Sequence, residues 1–249
     1  MTKTGNKVAP TSTALQARVA LFQPSRRPVE RQGDWLETSF GKCRVKGRLG
    51  QRHADVLEAT LYVAERKREI SDGGIELLVD PYKLRSALTS GAYSYEGIQK
   101  IFTELRTATL EIITPELEES GDKIIGGLID HVVPSPMTRH NPLGKERNLW
   151  RVRLGVALVM LLEKDLNLYY EPTPISQLKH GVSQAVARHV LTHARQPSGG
   201  WHVDTLLKTV YGSTPTVRNI QNGRARLKQD AEKLKSLGIK VENGRVFKC

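Results

Sequence analysis

The order of short segments after residue 182 is the feature that most constrains how this chain folds. Apolar residues recur there at helical spacing, and Gly and Pro residues separate the apolar stretches. The predicted elements, in order, are a helix over 183–194, a turn over 197–200, a short helix over 203–210, a long helix over 216–237 and a hairpin over 239–249. Helices in this order, followed by a hairpin, predict a small module with its own hydrophobic core.

Capping and turn residues mark the ends of these elements. Thr214 is an N-cap residue type, and Pro215 suits the first turn of the next helix, where its missing N–H has no helical partner. Gly238 favours the left-handed backbone that ends many helices. Asn243 and Gly244 accept the positive φ that both central positions of a two-residue hairpin turn require. The order and the ends together predict a winged helix-turn-helix module.

Positive charge concentrates in the same segment. Nine basic residues lie between 216 and 248, and only three acidic residues accompany them. The whole chain has a formal net charge of +12. A charge of this size favours a polyanionic partner, with nucleic acid first and an anionic membrane surface second.

The long helix divides into two faces at 100° per residue. The inward face is predicted to consist of Val217, Ile220, Leu227, Ala231 and Leu234. The outward face is predicted to consist of Arg218, Asn222, Ala225, Arg226 and Gln229. Arg, Asn and Gln side chains have the paired donors and acceptors that read guanine and adenine edges in a major groove. The alternative is a charged face that meets only solvent.

The candidate DNA contacts of this module extend from the start of the long helix to the last strand. They are Thr214, Thr216, Arg218, Asn219, Gln221, Asn222, Arg224, Arg226, Gln229, Arg245 and Lys248. Arg224 falls near the apolar edge of the helix, where it contacts phosphate or lays its stem along apolar surface rather than reading a base. Lys248 is expected to bind phosphate regardless of base sequence.

Residues 1–33 form a basic N-terminal segment in which Glu30 is the single acid. Ser, Thr and Pro are frequent there, so we expect a flexible arm, with a short helix over Thr13–Phe22 as one option. Such an arm adds phosphate contacts or serves only as a solubilising tail, and the sequence leaves both open.

A first domain is predicted over 34–155 and a second over 156–249. The expected elements of the first are a strand at 36–45, a helix at 51–66, a strand at 75–79, a helix from Pro81 capped by Asp80, a helix at 95–108 capped by Ser94, strands at 110–114, 124–133 and 150–154, and an acidic loop at 116–122. A similar order is expected to repeat from residue 152 onward, beginning with an apolar helix at 156–164. The predicted fold class is therefore α+β, with two tandem winged-helix domains behind a flexible basic arm.

The third helix of the first domain is less basic than its counterpart. Its candidate DNA contacts are Ser94, Tyr95, Gln99, Lys100 and Arg106, and two acids, Glu96 and Glu104, lie close by. We therefore expect the second domain to read the DNA sequence. The first is expected to contribute pairing, partner contacts and some binding to the DNA backbone.

Two stretches carry a family resemblance. One is Arg151–Tyr211, with Val152-Arg153-Leu154, an apolar helix, the segment Leu166–Tyr169, Ser183–His189 and His202–Leu207. The other is the long basic helix with Leu234, Leu237 and Gly238 before the hairpin. Gly47–Asp55 and Tyr93–Tyr95 stand where the first domain of the same family lies. Over roughly 35–249 the chain resembles winged-helix replication initiators of plasmids, the Rep proteins, and most of all broad-host-range initiators of the TrfA type.

This resemblance implies a protein that binds repeated origin sequences (iterons) in double-stranded DNA. It implies that several bound copies help to open an adjacent AT-rich stretch and recruit the host helicase machinery, often together with the host initiator. It also implies exchange between monomer and dimer through the first domain, which regulates copy number. The location that follows is cytoplasmic, with the nucleoid or plasmid.

The sequence shows no recognised catalytic motif. A phosphate-binding G-x-x-x-x-G-K-[ST] loop and a zinc-type H-E-x-x-H are absent, and Cys43 and Cys249 have no zinc spacing. His189 and His193 share a helix face, but packing or phosphate contact explains them better than a metal. We expect no enzymatic activity, cofactor or metal. The alternatives are a winged-helix transcriptional repressor and a rolling-circle nicking enzyme with an unrecognised site.

Membrane insertion is not expected. The longest apolar run, Val156–Leu162, is too short to span a bilayer, and the N-terminus lacks the apolar core of a signal peptide. The sequence predicts a soluble cytoplasmic protein without a membrane partner.

Overall fold

The computed structural model describes residues 8–14, 16, 21–38, 41–88, 93–140, 144, 146–212 and 215–249 of the chain. It shows a mixed α+β protein with several small antiparallel sheets. The helices are α1 Gln51–Val63, α2 Pro81–Ser86, α3 Tyr95–Thr107, α4 Pro115–Ser120, α5 Val156–Lys164, α6 Thr173–Ser176, α7 Gly181–Thr192, α8 Val203–Tyr211, α9 Val217–Gln229 and α10 Ala231–Ser236.

The strands form sheets of different sizes. They are β1 Ser12–Thr13, β2 Arg31–Gln32, β3 Leu36–Thr38, β4 Gly41–Gly47, β5 Arg66–Glu69, β6 Ile75–Val79, β7 Thr109–Ile113, β8 Ile124–Gly126, β9 Ile129–His140, β10 Glu146–Leu154, β11 Asn167–Leu168, β12 Trp201–His202, β13 Ile239–Glu242 and β14 Arg245–Lys248. The sheet orders are β5-β6-β10-β9, β12-β14-β13, β1-β11, and β2-β4-β7-β8 with β3 also on β4.

Buried apolar side chains form two separate cores. The first extends from Ala9 to Leu162 and includes α5, and the second extends from Ile175 to Val246. The chain therefore passes from one core to the other between residues 162 and 175, and not at the expected boundary of 155. The reason is the apolar face of α5, which packs beneath β7 and β8 instead of opening the second module.

A similar order of elements occurs around each core. The first has α1, β6, α2, α3, β9 and β10, with β5 before β6, and with β7, α4 and β8 between α3 and β9. The second has α7, β12, α8, α9, β13 and β14, with α6 before α7 and α10 between α9 and β13. In both, the strand before the second helix pairs antiparallel with the last strand, which also pairs with the strand before it. This similar order begins at α7, some thirty residues after residue 152, where the sequence predicted its start.

Three of the local end signals in the sequence are confirmed, but Pro215 precedes the long helix instead of occupying its first turn, because Thr216 is the cap. The Asp80 side chain accepts a hydrogen bond from the Tyr82 amide at 2.9 Å, and Ser94 accepts one from Gly97 at 3.0 Å. Asn243 and Gly244 have φ of 48° and 69°, as a two-residue hairpin turn requires.

Several strand and loop predictions in the first domain are wrong. The strand expected at 36–45 is the hairpin β3–β4, with Thr38 opposite Gly41. The strand expected at 124–133 is divided into β8 and β9. The acidic loop at 116–122 contains helix α4, because Thr114 caps it and Pro115 occupies its first turn. Strand β5 was not expected, since all four of its residues are charged.

The described part of the N-terminal segment packs against the first core and pairs with β11, which contradicts a flexible arm. Leu21 and Phe22 are buried in the first core, and β1 pairs with β11. Of the short helix expected over 13–22, residues 15 and 17–20 lie outside the described residues, and Thr13 belongs to β1. Burial of these apolar side chains explains why the segment is ordered despite its basic composition.

A buried polar network joins helix α7 of the second core to helix α1 of the first. The Arg188 guanidinium donates to Glu58 at 2.8 and 2.9 Å, to Asp55 at 2.7 Å and to Gln51 at 2.7 Å. Gln51 in turn donates to the carbonyl of Phe22 at 3.1 Å, so the N-terminal segment belongs to the same network. Each of these polar side chains is at most 3% exposed.

Further donors satisfy the carboxylates of this network. The Tyr93 hydroxyl donates to Asp55 at 2.6 Å, because burial and the neighbouring carboxylate hold the pKa of Tyr93 well above its usual range. Burial alone lowers the pKa of Arg188, but Glu58 and Asp55 outweigh this and raise it, so the guanidinium stays charged. One buried cation thus faces two buried carboxylates. Removing any one of the three would leave an uncompensated buried charge, which is strongly destabilising.

We expect Arg188→Met to lower the free energy of unfolding by about 3–5 kcal/mol, because it leaves Asp55 and Glu58 buried without their cation. Urea denaturation measures the change. Arg195→Met, at an exposed position just after α7, is the matched control and should change stability by under about 0.5 kcal/mol. Equal stability of the two variants would contradict this role of the network. Adding Asp55→Asn and Glu58→Gln to Arg188→Met should recover part of the loss.

Candidate nucleic-acid interface

Helix α9 lies across α7 and α8 and presents one face to solvent. Thr216 caps it by accepting a hydrogen bond from the Asn219 amide at 3.2 Å. Ile220 and Leu227 are buried in the second core. Gly223 faces α8, and a Cβ there would lie 2.8 Å from a methyl of Leu207, so a larger residue would require the Leu207 side chain to shift.

The solvent face of α9 contains most of the side chains expected to contact DNA. Arg218, Gln221, Asn222 and Arg226 are exposed, and Asn219 is half-buried. No hydrogen bond or ion pair joins the Arg218, Asn222 or Arg226 side chain to another residue in the described part of the chain. Val217, expected in the core, is the first residue of the helix and is 74% exposed instead.

The long helix predicted over 216–237 is interrupted at Asp230, which separates α9 from α10. The Asp230 carboxylate turns away from its own helix and accepts hydrogen bonds from the amides of Lys179 and His180 at 3.1 and 3.0 Å. These amides directly precede α7, and Asp230 is only 2% exposed. The interruption therefore ties the end of α9 to the start of α7.

Two of the predicted contacts on α9 have partners within the protein. Arg224 forms a two-pronged ion pair with Asp204 of α8, with Nε 2.7 Å from Oδ1. This hydrogen bonding lowers the pKa of Asp204 and raises that of Arg224. Gln229 Oε1 lies 2.6 Å from His180 Nε2. The Arg224 and Gln229 side chains remain exposed, but each already has a hydrogen-bond partner, which Arg218 and Arg226 lack among the described residues.

Both basic residues predicted on β14 turn back onto their own module. Arg245 donates to the carbonyl of Gly199 at 2.8 Å, and the Lys248 ammonium donates to the carbonyl of His193. Each side chain is half-buried and holds the turn after α7 against the hairpin. Their expected role as freely available phosphate contacts is therefore not what this structure shows. Thr214 lies outside the described residues.

The candidate residues of the first module lie on or next to α3. Ser94 is occupied as the helix cap. The Tyr95 ring lies under the Arg85 guanidinium, 5.2 Å from ring centroid to Cζ. Gln99, Lys100 and Arg106 are exposed on the outer face of the helix. This face is the topological counterpart of the exposed face of α9.

The histidines of α7 pack together instead of facing an open cavity. The rings of His189 and His193 lie 4.7 Å apart, and His193 meets the edge of Trp201 at 5.6 Å. Across the residues that the structure describes, no group of three or more His, Cys, Asp or Glu side chains is placed to hold a metal ion.

No protein-family model, curated protein or solved structure matches this chain. In the part of the chain that the structure describes, no helix combines the length and the apolar character needed to cross a bilayer.

Sequence reasoning missed the residues that position α9. Asp204, His180 and Asp230 lie 20, 49 and 51 residues from their partners, so no local spacing reveals the contacts. The one available signal was Asp230 itself, an acidic residue that interrupts a strongly basic helix.

We expect Asp230→Ala to lower the free energy of unfolding by about 2–4 kcal/mol, because the amides of Lys179 and His180 lose their acceptor. Asp230→Asn keeps one acceptor oxygen and should cost less. Glu232→Ala, an exposed acid two residues later, is the control for loss of a negative charge. If Asp230→Ala is as mild as Glu232→Ala in urea denaturation, the carboxylate does not fix α9.

Proposed function

We propose that this protein is a winged-helix DNA-binding protein that initiates plasmid replication at repeated origin sequences in double-stranded DNA. The observation that carries the proposal is the solvent face of α9. Its Arg218, Asn222 and Arg226 side chains are exposed and form no hydrogen bond or ion pair with any other described residue. Cations that serve the fold have partners here, as Arg188 and Arg224 do.

The order of elements supports the winged-helix assignment. A winged helix-turn-helix places its recognition helix after a short second helix and follows it with a hairpin, the wing. In the second module these parts are α8, α9 and the β13–β14 hairpin, with β12 completing the sheet. The repeated order around the first core supports a tandem pair, whose α3 is the second recognition helix.

In the proposed complex, α9 lies in the major groove. Arg218 and Arg226 donate in pairs to O6 and N7 of guanine, and Asn222 pairs with N6 and N7 of adenine. The Thr216 side chain and the exposed Lys228 lie at the helix borders, where phosphate oxygens pass. Asp204 keeps Arg224 aimed along α8, so Arg224 contributes to phosphate binding and not to base reading.

The proposed action is non-enzymatic and needs no cofactor. Binding free energy at several origin repeats stabilises bent or opened DNA, and the AT-rich duplex next to the repeats is the cheapest to open. Proposed partners are further copies of this chain, the host initiator and the replicative helicase machinery, with the plasmid in the cytoplasm as the place of action. The resemblance to plasmid initiators and the two joined modules support this choice over a repressor.

We expect Arg226→Ala, and equally Arg218→Ala, to reduce discrimination at one base pair by about 1–3 kcal/mol, because the paired hydrogen bonds to guanine are lost. The preferred duplex is first selected from a random pool, and affinities for it and for a scrambled duplex are then compared. Lys235→Ala, an exposed cation on α10, is the matched control and should weaken both duplexes alike.

An unchanged ratio of specific to non-specific affinity in both arginine variants would refute the α9 assignment. The initiator function is tested separately on a supercoiled plasmid with the selected repeats beside an AT-rich tract. We expect permanganate-reactive thymines to appear in that tract. Specific binding without opening would leave the repressor function, and a nick with a covalent tyrosine adduct in Mg²⁺ would identify a nicking enzyme instead.

A further inference from the structure

A basic cleft of about 290 Å³ lies on the first module, at the edge of the α3 face. The basic cleft is defined here by its five cationic residues. They are Arg26, Arg27, Arg48, Arg52 and Lys100. They come from the N-terminal segment, from the loop before α1 with its first turn, and from α3, so the fold brings together charges that are up to 74 residues apart in sequence.

The backbone of the basic cleft is held in place by local contacts. The Gln51 amide donates to the carbonyl of Ser25 at 2.9 Å, and the Gln23 side chain donates to the carbonyl of Val29 at 2.7 Å. Gly50 permits this approach, since a Cβ there would lie 2.5 Å from the Ser25 oxygen. The segment that carries Arg26 and Arg27 is therefore a fixed wall of the cleft.

The charges in the basic cleft are poorly compensated. Glu104 is the single acid among the described residues that line it. His53 does not neutralise Glu104. Burial lowers the pKa of His53, and its Nδ1 accepts from the Gly50 amide at 3.1 Å, so a neutral ring donates from Nε2 to Glu104 at 2.7 Å. Arg52 stacks on the Tyr93 ring, 4.9 Å from its centroid, so Arg27, Arg48 and Lys100 are the cations of the cleft that no described carboxylate pairs with.

Several cations of the basic cleft also lack an acidic partner. No ion pair joins Arg27, Arg48 or Lys100 to another residue in the described ranges, although Arg48 donates to the carbonyl of Pro28 at 3.5 Å. Arg26 Nε is buried with no hydrogen-bond partner among them. Clustered like charges cost free energy unless an anion screens them, and guanidinium groups bind phosphate oxygens in pairs. A cleft of this size also holds far more than one water, which takes roughly 30 Å³ in the liquid.

We propose that the basic cleft binds a phosphate group, and that this phosphate belongs to the backbone of DNA lying along α3. The inference rests on the proposed function, in which α3 is the counterpart of α9. Lys100 is exposed on the outer face of α3 and also lines the cleft, so the two surfaces are continuous. A phosphate bound here anchors the first module without reading bases, while α9 reads them. The N-terminal segment then serves as part of the DNA surface, although it is packed against the fold.

The test measures binding of a fluorescent duplex of scrambled sequence at several salt concentrations. Arg27→Ala/Arg48→Ala removes two exposed cations of the basic cleft. We expect its affinity to fall about tenfold and the slope of log K against log salt to flatten by about one to two units. Arg66→Ala/Lys67→Ala removes two exposed cations on the edge strand β5 and should leave the slope nearly unchanged.

A charge change of the opposite sign makes the test independent of damage to the fold. Glu104→Gln keeps an acceptor for His53 and removes the acid, so we expect tighter binding to the same duplex. A slope for Arg27→Ala/Arg48→Ala equal to that of the β5 control, or no gain for Glu104→Gln, overturns the proposal.

Failure of the cleft and failure of the proposed function give different results. If Arg226→Ala relaxes base preference but the cleft variants leave the salt slope unchanged, the function stands and the cleft proposal falls. If wild-type protein binds no duplex at all, DNA is ruled out as the source of the phosphate. Tripolyphosphate then decides: a rise in Tm that is lost in Arg27→Ala/Arg48→Ala supports a site for a free phosphate compound, and no rise refutes the site.

Discussion

The contact between the Arg188 guanidinium and the carboxylates of α1 is the interaction on which the arrangement of the two modules depends. It joins α7 of the second core to α1 of the first and includes Gln51, which donates to the N-terminal segment. A buried ion pair adds little net stability compared with apolar residues of similar volume. Its members must stay paired, however, so few other packings of the two helices are compatible with it. By fixing α7 against α1, the network also fixes where α9 and α3 stand relative to each other.

Charge in this protein divides into cations that hold the fold and cations that have no internal partner. Arg224, Arg245 and Lys248 belong to the first kind, although a basic helix and hairpin predict them equally well as DNA contacts. Arg218 and Arg226 on α9 belong to the second kind. Net charge alone cannot separate the two kinds, and only the contacts do. The proposed recognition surface is therefore narrower than the basic segment as a whole, and it is anchored by Asp230 and Gly223.

Local signals in the sequence predicted several helix starts and the last hairpin turn, and long-range contacts explain the residues they missed between the two modules. Asp80, Ser94 and Asn243-Gly244 act within three residues, so their helix starts and hairpin turn were predictable. Arg188 and Asp55 lie 133 residues apart, and an arginine in a helix gives no sign that it is buried. The spacing of its apolar residues predicted helix α5, but periodicity alone does not show which of the two cores a helix packs into. The composition of the basic N-terminal segment is typical of a disordered arm, but burial of Leu21 and Phe22 in the first core holds the segment against the fold.

The most direct test of the central claim is methylation interference on a duplex selected for binding, with guanine N7 methylated in the major groove. If the exposed face of α9 lies in that groove, methylation at the guanines of the selected site blocks binding of wild-type protein. In Arg226→Ala the block disappears at one guanine and persists at the others. Binding that is indifferent to N7 methylation throughout the site, or blocked only by adenine N3 methylation in the minor groove, would contradict the account.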